Sequence, residues 1–444
     1  GHVRIYENIG GSWSQIGQDI NGNQGSGNGT ISLSADGNTI AIGAPLADGN
    51  GNNAGHVRIY ENISGSWIQV GQDIEGEASN DYSGYSVSMS SDGSIVAIGA
   101  TGNDGNGSSS GHVRIYEDIG GTWTQIGQDI DGESDQDYSG LSVSISSDGN
   151  IVVIGAPYND GNGSYSGHVR IYENISGTWV QLGQDIDGNA SGDYSGYSVS
   201  MSSDGSIVAI GAPGGYWSPG SYTGSVTIYE NIGGAWTQVG QDIDGEAAGD
   251  YSGWSVSLSS DGEIIAIGAM RNYGNAFESG HVRIYENISG SWTQIAQDID
   301  GEYQGDLSGH SVSLTSNGYT VAVGAPGFDV TGNGDGQVRV LSINYSYPVI
   351  DSVFMNYNFC DSLVWDGVVY DSSGIYTRTF QGLTGCDSTV TLNLTISSED
   401  TLLTVIDTSC VFFDWDGVLY DSTGIYTRTF QRLNGCDSTV TLDL

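Results

Sequence analysis

Carboxylates spaced to bind a cation recur between repeated segments of this chain. The pattern Asp-x-Asp-Gly-Glu sets alternate oxygen ligands before a glycine turn, and calcium takes about six to eight such oxygens. A further acidic loop precedes Gly336. The candidate ligands are Asp129, Asp131 and Glu133; Asp242, Asp244 and Glu246; Asp298, Asp300 and Glu302; and Asp329, Asn333 and Asp335. The alternative is a turn in which Asp caps backbone N–H groups. Calcium is therefore the one possible cofactor that the sequence suggests.

Histidine and arginine also recur, each at one fixed position of the repeat. The histidines are His2, His56, His112, His168 and His281, and the arginines are Arg4, Arg58, Arg114, Arg170, Arg283 and Arg339. A catalytic residue is normally unique, so recurrence favours a structural role in which each Arg pairs with a carboxylate of the same or the next unit. The sequence contains no Walker loop and no zinc-ligand pattern. We therefore predict no catalytic residues and no enzymatic activity.

Aromatic residues mark the two units that diverge from the others. Near-identical units favour a structural role, whereas a ligand site usually makes one unit differ. The candidates for ligand contact are Tyr216, Trp217, Arg271, Tyr273 and Phe277. The alternative is an ordinary loop insertion.

The elements that must position these residues follow from a repeat that begins Gly-His-Val-Arg-Ile-Tyr-Glu. Copies start at Gly55, Gly111 and Gly167, which are 56 residues apart. Within a unit, alternation from Tyr85 to Met89 predicts a strand, Asp92-Gly93 a hairpin turn, and the following apolar run a buried strand. Two further strands complete a four-stranded antiparallel unit.

Stacked units of this kind are typical of a β-propeller. The third strand occurs seven times, and the first unit lacks its first two strands. We therefore predict an all-β, seven-bladed propeller over residues 1–344, with the missing strands upstream of Gly1. A six-bladed ring closing on Trp13 and a linear solenoid are the alternatives.

The run Ser-Val-Ser-x-Ser-x-Asp-Gly, followed by Ala-Ile-Gly-Ala-Pro and Gly-x-Val-x-Ile-Tyr, resembles the FG-GAP repeat. That resemblance implies the propeller of integrin α subunits, and close variants occur in large secreted proteins of marine Bacteroidota. The calcium hairpin of that family is shortened here, as at Ser90 to Gly93.

Two units of another kind follow, over residues 345–397 and 398–444. Each contains two cysteines, and one bridge within each unit is the economical pairing, Cys360–Cys386 and Cys410–Cys436. Such bridges predict an oxidising, extracellular setting. Their short β runs predict two small disulfide-bonded β-sandwiches of Ig-like type. They are similar to stalk repeats of Bacteroidota surface proteins, often exported by the type IX system.

The composition limits the partners. The chain has 53 acidic and 10 basic residues, a net charge of −43. Such a charge repels phosphate backbones and anionic lipids. We therefore expect neither nucleic-acid binding nor direct membrane insertion of this segment. We therefore expect an extracellular adhesin or a structural subunit of a surface appendage, or alternatively a lectin-like module that binds glycans. Its partner would be a cell-surface protein, a glycan or another copy of the chain.

Overall fold

The computed structural model describes residues 1–22, 30–215, 222–329 and 336–343, and after residue 344 the backbone of the strands named below with the side chains of residues 425–426. The chain divides into two compact units, Gly1–Ile343 and Asn344–Leu444. Among the described residues no helix is long and apolar enough to span a membrane.

The first unit is built from consecutive antiparallel sheets. A hairpin of β1 (His2–Ile9) and β2 (Ser12–Asn21) comes first. Blade 1 contains β3 (Ile31–Leu33), β4 (Thr39–Ala44), β5 (His56–Ile63), β6 (Ser66–Gln69) and β7 (Ile74–Glu75). Blade 2 contains β8 (Ser83–Met89), β9 (Ile95–Ala100), β10 (His112–Asp118), β11 (Trp123–Gln125) and β12 (Ile130–Asp131). Blade 3 contains β13 (Ser142–Ile145), β14 (Ile151–Ala156), β15 (His168–Asn174), β16 (Trp179–Gln181) and β17 (Ile186–Asp187).

The later blades repeat this order. Blade 4 contains β18 (Ser198–Met201), β19 (Ile207–Ala212), β20 (Ser225–Ile232), β21 (Ala235–Gln238) and β22 (Ile243–Asp244). Blade 5 contains β23 (Ser252–Leu258), β24 (Ile264–Ala269), β25 (His281–Ile288), β26 (Ser291–Gln294) and β27 (Ile299–Asp300). Blade 6 contains β28 (Ser311–Leu314), β29 (Thr320–Ala325) and β30 (Gln337–Ser342).

The last two strands of each complete blade are halves of one interrupted outer strand. In blade 2, Tyr116 of β10 pairs with Gln125 of β11, and His112 at the other end of β10 pairs with Asp131 of β12. Ile126 N still donates to Ile115 O of β10, and the pairing with β10 then resumes at Ile130. The blade is thus a four-stranded antiparallel sheet whose outer edge is broken.

The all-β propeller is confirmed, but the prediction of seven blades is wrong: the structure has six. The predicted number of blades came from the seven copies of the third strand. A blade requires the first and second strands, and the described residues contain six sheets that have them. The hairpin β1–β2 supplies outer strands alone, and its Ile5 and Ile20 pack against Ile40 and Trp67 of blade 1. Two strands without an inner pair do not make a further blade.

Side chains of the repeat connect each blade to the next. Ser86 Oγ donates to the carbonyl oxygen of Gly140 in the following blade at 2.7 Å, and Ser142 does the same to Gly196. The second strand of blade 2 approaches the segment that enters blade 3 so closely that a Cβ on Gly99 would lie 2.1 Å from Gly140 O. Glycine is therefore required where β9 meets the next blade.

The hydrophobic core lies between the faces of successive blades. Between blades 2 and 3, Val113 and Ile115 pack with Ile154 and Trp179, and none of the four is more than 4% exposed. This arrangement follows from the sequence, because the second strand is apolar at nearly every position and both of its faces are covered.

The C-terminal unit repeats one strand arrangement twice. Its described strands are β31 (Val353–Phe359), β32 (Leu363–Trp365), β33 (Val368–Tyr370), β34 (Gly374–Gln381), β35 (Asp387–Ile396), β36 (Leu403–Ile406), β37 (Phe413–Trp415), β38 (Val418–Tyr420), β39 (Ile425–Phe430) and β40 (Ser438–Asp443). In the first copy, β35 pairs with β31 in parallel and with β34 antiparallel, while β32 and β33 form a separate hairpin.

The predicted Ig-like sandwiches are not evident in these strands, so that prediction is corrected. Each copy has a three-stranded mixed sheet and a two-stranded hairpin. An Ig-like sandwich has about seven strands in two facing sheets. Short β runs in the sequence indicated strands but did not fix how many pair in one sheet. The four cysteines lie outside the described residues.

Candidate functional site

A cavity of about 410 Å³ opens at one end of the first unit, where loops of blades 3 to 6 meet. Its lining residues either precede or begin the first strand of a blade or follow its second strand. Because these two strands are antiparallel, the start of the first strand and the end of the second lie at the same end of the sheet. The cavity is lined by Tyr158, Tyr194, Tyr197, Gly214, Trp254, Met270, Arg271, Leu307 and His310.

A buried aspartate shapes the loop that enters the first strand in blades 2, 3, 5 and 6. In blade 5, Asp250 is fully buried, and its Oδ2 accepts hydrogen bonds from Ala247 N and Asn272 Nδ2, both at 2.9 Å. The next residue, Tyr251, has a φ of 56°, a left-handed conformation that is uncommon for an aromatic residue. The anchored turn then delivers Trp254 to the cavity wall. The carboxylate thus fixes the geometry of the loop.

The same loop brings a different side chain to the equivalent position of each blade. In the pattern Ser-Gly-x-Ser-Val, the variable residue x is Tyr85, Leu141, Tyr197, Trp254 or His310. The rings of Tyr197 and Trp254 have centroids 4.5 Å apart, and those of Trp254 and His310 are 5.9 Å apart. Three consecutive blades therefore form one continuous row of rings along the cavity.

Two nitrogen-containing side chains give the cavity its polar chemistry. Burial lowers the pKa of His310 from its ordinary value of 6.5, so the imidazole is neutral at pH 7 and can accept a proton. The Arg271 guanidinium lies 5.4 Å from the Tyr251 ring centroid, and its Nε is 3.6 Å from Glu278 Oε1. The site therefore combines a base, a cation and an apolar wall.

Arg271 is one of the predicted contact residues, whereas His310 is not. Five of the six histidines share one strand position, and His310 is the exception. That exception was a usable signal, because it stands at a variable position of an otherwise regular motif.

The other predicted contact residues lie elsewhere. The side chains of Tyr273 and Phe277 are exposed and pack on each other, with centroids 5.2 Å apart, without lining the cavity. Tyr216 and Trp217 lie outside the described residues.

The predicted calcium ligands do not converge as one group. Asp129 Oδ2 lies 3.8 Å from His112 Nδ1 in its own blade, whereas Glu133 lies 3.8 Å from His168 of the next blade. Burial raises the pKa of Asp131, which joins neither group. The pattern Asp-x-Asp-Gly-Glu thus contributes to two different clusters, and calcium is not confirmed.

The remaining candidates have other surroundings. Asp242 accepts a hydrogen bond from Gln238 at 2.6 Å, and the Asp300 carbonyl accepts one from Arg339. Glu302 forms an ion pair with Arg339 at 3.7 Å. Asn333 and Asp335, which follow Asp329, lie outside the described residues.

Among the residues that the structure describes, groups of histidine and carboxylate that could hold a metal ion occur at four places. Each has three ligand atoms within 4.8 Å of one another. They are His56, Asp73 and Glu75; Glu77, His112 and Asp129; Glu133, His168 and Asp185; and Glu246, His281 and Asp298.

Comparison with known proteins supports the repeat assignment. The model of the FG-GAP repeat matches residues 75–116 and 130–172. No curated protein sequence matches the chain.

Solved structures with similar folds include proteins named as lactonases. The periplasmic gluconolactonase of Pseudomonas aeruginosa matches 77% of this chain and 95% of its own, with 16% identity and a TM-score of 0.48. Two proteins provisionally described as 6-phosphogluconolactonases match similarly. The one from Bacteroides uniformis covers 78% of this chain and 92% of its own, with 11% identity and a TM-score of 0.50. The match with the protein from Bacteroides fragilis covers 78% of this chain and 91% of that protein, with 12% identity and a TM-score of 0.49.

These findings overturn the predictions of a non-catalytic adhesin and of no enzymatic activity. The matching structure from Bacteroides uniformis carries the name of an enzyme, and the repeated residues on which the exclusion rested do not line the cavity. A propeller places residues from different blades together, so a site can form where otherwise regular repeats diverge. Stalk repeats and type IX export are not shown. The chain carries FG-GAP repeats, and these build a β-propeller.

Proposed function

We propose that the cavity of blades 3 to 6 binds the lactone of a sugar acid and hydrolyses it. The observation that carries this proposal is the joining of His310 and Arg271 with a wall of aromatic rings in one cavity. The cavity falls within the range of about 300–1,000 Å³ that is usual for small-molecule sites. The shared fold is compatible with this activity, and the chemistry is argued from the cavity alone.

Each lining group has a part in the proposed reaction. The faces of Tyr197 and Trp254 offer flat apolar surface to the carbon atoms of a sugar ring. Arg271 stabilises the negative charge that develops on the lactone carbonyl oxygen. His310 removes a proton from a water molecule while the oxygen of that water bonds to the carbonyl carbon of the lactone. The ring C–O bond then breaks, and the proton passes to the departing oxygen, which yields the open hydroxy acid.

Kinetics of ring opening test this proposal. Glucono-1,5-lactone and related lactones would be followed by acid release at constant pH, above the spontaneous rate. We expect His310→Gln to lower kcat by about 10²- to 10⁴-fold. Tyr85→Gln is the matched control, because Tyr85 occupies the same motif position in blade 2 and does not line the cavity. No acceleration by the wild type, or equal rates in both variants, would refute the proposal.

We also propose an extracellular location. The high negative charge, the complete absence of Lys and the even number of cysteines support it. Fractionation of the native cells tests it, and recovery of the protein in the cytosol would contradict it.

A further inference from the structure

Three blade junctions repeat one arrangement of a histidine and two carboxylates. In each, the glutamate comes from the segment before a blade, and the histidine and aspartate come from that blade. We call these the junction sites, and they consist of Glu77, His112 and Asp129; Glu133, His168 and Asp185; and Glu246, His281 and Asp298. The two carboxylates therefore approach each imidazole from different segments of the chain.

The histidines at these sites are buried without the hydrogen bonds that buried imidazoles usually make. His112 and His281 are each 1% exposed, and within the described part of the chain neither ring nitrogen of either residue has a hydrogen-bond partner. At His168, which is 2% exposed, Nε2 is likewise unpartnered. A buried polar group without a partner destabilises the folded state, so its repetition at three sites calls for a physical explanation.

The distances fit ligands of a common ion better than they fit direct hydrogen bonds. His281 Nδ1 lies 3.7 Å from Asp298 Oδ2 and 4.0 Å from Glu246 Oε2. Zinc binds imidazole nitrogen and carboxylate oxygen at about 2.0–2.2 Å, so tetrahedral neighbours stand about 3.4 Å apart. At this site the two separations exceed that geometry by about 0.3–0.6 Å. The three ligand atoms of every junction site lie within 4.8 Å of one another.

A second layer of contacts orients the aspartates toward the imidazoles. Gln125 Nε2 donates to Asp129 Oδ1 at 2.6 Å, which leaves Oδ2 toward His112. Gln294 holds Asp298 in the same way, also at 2.6 Å. Such amide contacts to a ligating carboxylate are a regular feature of metal sites.

Blade 4 lacks both the glutamate and the histidine of a junction site. Asn189 and Ser225 stand at those positions and Thr227 at that of the arginine, while Gln238 and Asp242 retain the orienting pair. Blade 6 has Glu302 and Arg339 but Gln337 at the histidine position, so neither blade completes the set of three ligands. Blade 1 differs from the three junction sites in another way. Arg58 forms an ion pair with Asp73 at 2.7 Å, so the carboxylate beside His56 already has a cationic partner.

We propose that each of the three junction sites binds one divalent transition-metal ion, of the kind represented by Zn²⁺, which joins the entering segment to its blade. An imidazole nitrogen with two carboxylate oxygens suits such an ion, whereas calcium takes oxygen ligands. The charges agree with this choice: two carboxylates beside one arginine, such as Arg114 at 3.3 Å from Glu77, leave each site negative.

Metal stoichiometry tests the proposal. The full chain would be stripped with a chelator and titrated with ZnCl₂ in a calorimeter, with bound metal counted by elemental analysis. We expect about three ions per chain, and one fewer in each of His112→Gln, His168→Gln and His281→Gln. Ser225→Ala is the control, because blade 4 has serine at the histidine position, and it should retain all three ions.

Two further measurements keep the proposal falsifiable if a histidine variant unfolds. Asp298→Asn leaves His281 in place and should also remove one ion, and X-ray absorption of the zinc-loaded wild type should show one imidazole with oxygen ligands at each ion. Unchanged stoichiometry in the folded variants would overturn the proposal. So would zinc ligation without imidazole, or displacement of the zinc by equimolar calcium.

Discussion

Truncation of Trp179 measures how strongly adjacent blades depend on each other. Its side chain is 3% exposed in the core between blades 2 and 3, and its indole Nε1 donates to Ile126 O at 2.9 Å. Trp179→Ala removes the packed ring and leaves that carbonyl unpaired, so we expect a loss of about 3–5 kcal/mol in the free energy of unfolding. Trp179→Phe keeps most of the apolar contact and should cost about 1–2 kcal/mol.

Trp13 supplies the matched control because it occupies the same repeat position in the first hairpin and is 51% exposed. Trp13→Ala should cost less than about 1 kcal/mol. Guanidinium unfolding followed by circular dichroism gives the shift in midpoint for each variant, and hydrogen exchange shows which blades open. Equal destabilisation by Trp179→Ala and Trp13→Ala would refute the reasoning that the inter-blade contact carries the stability.

Three further predictions follow from the packing, the titration of the cavity and the cysteine spacing. Gly155→Ala should destabilise by about 1–3 kcal/mol in thermal unfolding, because its Cβ would lie 2.0 Å from Gly196 O. Lactone hydrolysis should be constant near pH 7 and fall on acidification below pH 6.5, since burial lowers the pKa of His310 and protonation there removes the base; a rate that rises with acid would contradict this. Mass spectrometry of unreduced peptides should find two bridges, Cys360–Cys386 and Cys410–Cys436.

The repeat made the blades predictable from the sequence. Alternation from Tyr85 to Met89, the Asp92-Gly93 turn and the apolar run after it became β8, a turn and β9. These features depend on neighbouring residues, so local patterns suffice. The number of blades depends on which strands share one sheet. The hairpin β1–β2 shows that the number of third strands in the sequence need not equal the number of blades.

The cavity was harder to predict because its residues are far apart in the chain. Tyr158 and His310 meet only after blades 3 to 6 have assembled. The recurring arginines show the same limit. Arg4 pairs with Asp19 of its own unit as expected, but Arg170 donates to Asp131 O of the preceding blade at 2.7 Å. Sequence patterns identify such residues without fixing which blade supplies the partner.

The crystal structure of the protein with bound gluconate, the open acid expected as product, tests the central claim most directly. We expect the sugar carbons to lie against Trp254 and the carboxylate to lie within hydrogen-bond distance of Arg271 or His310. Gluconate bound at another surface, or an empty cavity at millimolar gluconate, would contradict it.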